Sequence, residues 1–171
     1  MSPILPASPL ATAMHSRVQR TGQRHRHFPR DQAVLVRLVK LLHRLFNDRA
    51  NELLRGYGLN HAEYNVLIML DGSPEGMTAG ELAEATSEKP ANTTRLVDQL
   101  VAKGLVLRQP CEQDRRRLRV QLSASGEALI DQVMPAIAAQ LQRLFAGMPD
   151  GALGQLESLL LLLAEGVEAS R

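Results

Sequence analysis

At 171 residues, 44% of them hydrophobic, the chain can hold one domain with a sizeable core or a small module with extended oligomerisation arms. No apolar run reaches the roughly 18 residues of a membrane span, and the single cysteine, Cys111, excludes an internal disulfide framework. Net charge is only +2 but unevenly placed: residues 1–30 hold five arginines and no acid, so the rest is net acidic. Positive potential beyond the start is therefore local rather than general.

Residues 1–29 carry four prolines and no helical periodicity, which predicts a flexible basic arm. Pro3, Pro6 and Pro9 break its mildly apolar start and no basic n-region precedes it, so it makes a poor signal peptide and the expected compartment is the cytoplasm. His25-Arg26-His27 lacks a partnering Cys or carboxylate and reads as a solvated tail, not a metal site. Residues 30–59 are expected to form an N-terminal dimerisation helix. From Asp31 to near Gly56, Val34, Leu35, Leu38, Leu41, Leu42, Leu45 and Phe46 recur at helical spacing. That stripe is wider than one neighbour needs, which points to packing on a second subunit as well.

Residues 60–126 read as a DNA-binding unit. Asn60 caps a helix through Leu70, with Glu63 at N3 completing a capping box and Val66, Leu67 and Leu70 facing inward. After a loop over 71–76, Thr78 and Glu81 form a second capping box, opening a short helix that buries Leu82 and Ala83. The polar turn Thr86-Ser87-Glu88 leads to Lys89-Pro90, where proline suits the first helical position. This second helix runs to Lys103, and Gly104 supplies the left-handed cap. On its wheel Thr93, Leu96, Val97 and Leu100 share one side, while Glu88, Asn92, Arg95, Asp98 and Gln99 project from the other. Asn and Arg one turn apart suit a major groove, since Asn pairs bidentately with adenine and Arg with guanine. Leu105 to Arg108 and Arg117 to Leu122 read as two strands around a polar tip, with Leu118, Val120 and Leu122 on one face. Arg115, Arg116, Arg117 and Arg119 make the hairpin a basic wing.

Residues 127–171 read as C-terminal dimerisation helices. Ser123 is the expected N-cap of a long helix with Pro135 inside it and its end at Met148-Pro149-Asp150. Asp150 opens a last helix to about Glu168, striped with Leu153, Leu156, Leu159, Leu160 and Leu163. The predicted fold class is mainly α: a winged helix-turn-helix with a two-stranded β-wing and long N- and C-terminal dimerisation helices.

In order, Glu81-Leu82-Ala83, Thr94 to Leu100 with Lys103 to Val106, Asp114-Arg115-Arg116 and Leu122 to Gly126 resemble the multiple-antibiotic-resistance-repressor (MarR) family. The likeness covers about residues 31–168. Ala91 to Arg95 and the position of Pro135 are similar to the branch that represses multidrug efflux operons. The resemblance implies a homodimer shaped like a triangle and a palindromic double-stranded DNA operator. It also implies a small phenolic or lipophilic effector that relieves repression. Carried over, Arg116 matches the wing arginine of the minor groove and Asp114 the acid that holds it. Asn92, Thr94 and Arg95 match recognition-helix positions, and Ser123 replaces the more usual threonine while keeping the capping hydroxyl. Lys89, Gln99, Arg115 and Arg117 complete the expected DNA surface. The family's effector cleft lies between the dimerisation helices and the DNA-binding lobe, where Phe46, Tyr64, Met69 and Met134 are the candidates.

The leading expectation is a ligand-responsive repressor of a multidrug efflux or related operon. Alternatives are a regulator of aromatic-compound catabolism or stress genes, or a redox sensor in which Arg108 and Arg115 lower the pKa of Cys111. Catalysis is not expected: there is no Ser-His-Asp set, phosphate loop or CxxC, and His43 and His61 lack clustered carboxylates. No cofactor, metal or membrane is called for.

Overall fold

A computed structural model describes residues 8–110 and 118–170. The first helix, α1 (Pro9–Arg24), stands where a flexible arm was expected. Pro9 occupies the first turn, where its missing N–H has no partner to lose, and Ala11 and Val18, two turns apart, bury one face. That face packs on α2 (Arg30–Leu54). Too few apolar residues mark it to register as periodicity.

A 3₁₀ turn (Arg55–Tyr57) and a left-handed Gly58 lead from α2 to α3 (His61–Asp71). Strand β1 (Met77–Thr78) precedes α4 (Ala79–Thr86), and Ser87 at φ 55 turns the chain into α5 (Pro90–Ala102). Strands β2 (Val106–Pro110) and β3 (Leu118–Leu122) follow, then α6 (Ala124–Phe145) and α7 (Ala152–Glu168). The sheet has three strands rather than two. Its order is β1-β3-β2, all antiparallel, with Met77 opposite Val120 and Val106 opposite Leu122. Val120 is buried, but Leu118, expected on the same face, is 52% exposed because it lies beyond the reach of β1 and the core.

Both capping boxes are present: Asn60 with Glu63 and Thr78 with Glu81 each exchange side-chain and backbone bonds. The Ser123 hydroxyl caps α6 by accepting from the Gly126 amide, and itself donates to the Gly104 carbonyl at 2.6 Å. Helix α6 ends at Phe145, before Met148, and α7 is capped by Gly151 at φ 75 rather than by Asp150. The core joins Leu54, Val66, Leu67 and Leu70 to Leu82 of α4, Leu96, Val97 and Leu100 of α5, Val106 and Val120 of the sheet, and Ile130 and Val133 of α6. Outside it, α7 has no buried residue, and Leu35, Val36, Val39 and Leu42 of α2 are exposed. Among the described residues, no helix is long and apolar enough to cross a membrane.

Candidate nucleic-acid interface and adjoining cleft

Helix α5 is held by its inner side. Thr93, Leu96, Val97 and Leu100 are all buried, as the wheel predicts, and the Thr93 hydroxyl is satisfied by the Lys89 carbonyl. Inner burial forces the outer side into solvent, where its polar groups form a chain along the helix. Asn92 donates to Glu88 at 2.6 Å and accepts from Arg95 at 2.7 Å; Arg95 also donates to Gln99 at 3.1 Å. Thus Asn92, Arg95 and Gln99 share one hydrogen-bonded row. Lys89 stands exposed at the N-cap, and the exposed Thr94 returns its hydroxyl to the Pro90 carbonyl. The chemistry of the row, amide and guanidinium donors beside amide acceptors, is that of base-edge recognition.

Asp98 does not pair with Arg95. It accepts from Arg108 of β2 at 2.5 Å, tying the base of the wing to α5. Arg119 is likewise turned inward, 3.7 Å from Glu81 of α4, with its Nε buried and without a partner among the described residues. Of the four arginines assigned to the hairpin, Arg119 therefore braces the sheet instead of facing outward. Asp114, Arg115, Arg116, Arg117 and Cys111 lie outside the described residues.

Two contacts fix α5 to the start of α3. Lys103 at its C-cap reaches Glu63 at 2.7 Å and the Gly58 carbonyl at 2.8 Å. Glu63 is buried, and its second oxygen accepts the Asn60 amide at 3.0 Å. The sequence shows Glu63 as a cap but gives no sign of its partner, which comes from the end of α5, two helices later.

Between α2, α3 and α6 lies an apolar cleft of about 280 Å³. Phe46, Ala50, Tyr64, Ile137, Leu141 and Phe145 form most of its wall, with His61 and Gln140 as polar members. Phe46 stacks on Phe145 with ring centroids 6.4 Å apart. Burial holds the Tyr64 phenol above its usual pKa, helped by Asp71, so it is a neutral hydrogen-bonding group. Two of the four candidates, Phe46 and Tyr64, thus meet here. Met69 and Met134 do not line it; both are partly buried and pack against the core. The α6 wall went unread, although Ile137, Leu141 and Phe145 recur every four residues.

The comparisons agree with this geometry. A sequence model of the MarR family matches residues 57–117, from the end of the 3₁₀ turn to just before β3. The transcriptional repressor MprA of Escherichia coli K12 is 27% identical over 139 residues, which is 81% of this chain and 79% of that one. A mutant MarR from E. coli, solved in complex with operator DNA, superposes with a TM-score of 0.70 at 28% identity, covering 75% of this chain and 92% of that one. CouR from Rhodococcus jostii RHA1, solved bound to p-coumaroyl-CoA, gives 0.68 at 28% identity, covering 74% and 89%. In sequence over residues 57–117 and in overall fold, this chain is similar to the MarR family of winged-helix transcriptional regulators.

Proposed function

We propose that the chain acts as a homodimeric repressor that binds a palindromic operator through α5 and the wing and is released by a small phenolic or lipophilic effector. The observation that carries this reading is the outer row of α5, with Arg95 and Gln99 exposed and Asn92 half-buried, above a fully buried inner side. Lys89 and Thr94 extend the row, and Asp114, Arg115, Arg116 and Arg117 supply the wing contacts. Residues 60–126 form the DNA-binding unit. Residues 30–59 and 127–171 form the dimerisation part, which the exposed leucines of α7 and the apolar side of α2 support. Two recognition helices related by a two-fold axis read half-sites about 10 bp apart. The effector occupies the cleft at Phe46 and Tyr64, where α2 and α6 meet α3, so its binding alters how the dimer spaces the two α5 helices. The regulated genes are those of multidrug efflux, as the likeness over Ala91 to Arg95 implies. Likeness to CouR favours genes of aromatic-compound metabolism as the second reading.

The test is a mobility-shift titration of the purified protein on its own upstream intergenic DNA at two salt concentrations, with and without a lipophilic phenol. A sequence-dependent shift that the phenol reverses is expected. Equal affinity for operator and unrelated DNA would refute the reading.

A further inference from the structure

Beside the apolar cleft runs a polar one of about 450 Å³, and His61 lines both. Helix α2 presents adjoining stripes to them. Phe46 and Ala50 face the apolar side, whereas His43, Asn47 and Asn51 face the polar side. The opposite wall of the polar cleft is the helix-turn-helix itself, at Ser87, Glu88 and Arg95. A molecule lying across His61 would therefore touch the dimerisation helix and the turn that carries the recognition helix together.

The walls limit what that molecule can be. No Lys or Arg lines the apolar cleft, so an ion seated there would be buried without a counter-charge. In the polar cleft Arg95 and Glu88 oppose each other, and a charged head of either sign meets one like charge. Glu88 is already taken by Asn92, and Arg95 by Asn92 and Gln99. His61, Asn65 and Ser87, by contrast, use their side chains in no hydrogen bond among the described residues. Each of these can both donate and accept. Burial, reinforced by His43, holds the His61 pKa below its usual value, so its ring is neutral at pH 7.

We propose that the effector is a neutral amphiphile: a ring-sized apolar body lies between Phe46 and Tyr64, and a carboxamide-, hydroxyl- or carbonyl-type head passes His61 to reach Asn65 and Ser87. This rests on the apolar cleft being the effector site. It adds the chemistry of the head and the route to DNA. Ser87 holds the left-handed turn between α4 and α5, so a head bonded there strains the segment that orients the recognition helix.

Three probes sharing one body test it on the full chain by calorimetric titration: propylbenzene, 3-phenylpropanamide and 3-phenylpropanoate. Two net hydrogen bonds make the amide bind about tenfold tighter than the hydrocarbon, and the carboxylate is expected to bind more weakly than the amide. Asn65→Leu should erase the amide's advantage while propylbenzene stays within about twofold. Leu144→Trp, at the apolar wall, should weaken all three probes. Unchanged melting temperatures would establish that both variants fold. Equal binding of amide and hydrocarbon, an advantage that survives Asn65→Leu, or tightest binding by the carboxylate would overturn the neutral-head proposal and leave the cleft assignment standing. No binding by wild type, or binding untouched by Leu144→Trp, would overturn both.

Discussion

Removing the Lys103 ammonium is expected to destabilise the protein although the residue sits at the surface. Lys103 is 38% exposed, but the Glu63 side chain it meets is 4% exposed. Lys103→Met leaves that carboxylate with the Asn60 amide as its remaining partner. Stripping one partner from a buried pair costs about 3–5 kcal/mol. Water can reach the vacated side through the space Lys103 occupied, which reduces the expected loss to about 2 kcal/mol. Glu63→Gln should cost about 1 kcal/mol, because glutamine at N3 still closes the capping box and Lys103 keeps the Gly58 carbonyl. The double variant buries no unpaired charge, so its loss should fall short of the two single losses added together by about 1–2 kcal/mol. Urea denaturation of the four proteins at pH 7 and one fixed concentration gives that coupling directly. A coupling under about 0.5 kcal/mol would refute the reasoning, since it would place the pair with ordinary surface contacts.

Other positions give independent checks. A Cβ on Gly126 would sit 2.1 Å from the Leu105 carbonyl oxygen, whereas one on Gly104 meets nothing within 4 Å and is disfavoured by its φ of +71 alone. Gly126→Ala should therefore cost about 3 kcal/mol or more and Gly104→Ala about 1 kcal/mol, measured by denaturation. Folding lowers the His61 pKa from 6.5, so its contribution to stability is whole above pH 6.5 and is lost as pH falls through the folded value below it. His61→Gln should flatten the acid side of the stability profile. Leu159 is 64% exposed in the single chain, so Leu159→Glu should leave the fold intact and yield monomer by analytical ultracentrifugation if α7 is dimer interface. Arg95→Ala should lose about 1–3 kcal/mol of operator affinity and relax base preference at one position of each half-site, read by competition binding.

The parts of the fold that could be read in advance are those fixed by neighbours in sequence. The capping boxes of Asn60 and Thr78, the Ser123 cap and the inner side of α5 all depend on residues three or four positions apart, and each is present. Pairings across elements could not be read that way. Asp98 lies one turn from Arg95, but Arg108 reaches it first, because the turn at Gly104 folds β2 back along α5. Strand β1 is two residues long, too short for an alternating pattern, and exists because Met77 and Thr78 meet Val120 and Arg119. The cleft shows the same division: Phe46 and Tyr64 were legible as aromatics near the expected place, whereas Phe145 joins Phe46 only once α6 has packed across α2.

The exposed leucines of α7 carry the argument past the single chain. Leu159 to Leu163 run on consecutive positions, which wraps apolar surface around more than one side of the helix, and none of it is buried. A helix of 17 residues with no packed face is marginal in water, and one that is apolar nearly all round belongs inside a core. Each leucine taken from solvent is worth about 1.5–3 kcal/mol, so covering the stripe from Leu153 to Leu163 outweighs the loss of freedom on association even after a generous allowance for that cost. In the proposed homodimer the exposed side of α2, with Leu35, Val39 and Leu42, would be the matching surface on a second copy. On this reading the lobe bearing α5 folds by itself, whereas the distance between two recognition helices is set by surfaces that are complete only in the dimer. The cleft at Phe46 and Phe145 lies beside α2 and α6 where they meet the lobe, so under the proposed function a ligand of modest size would act on DNA from there.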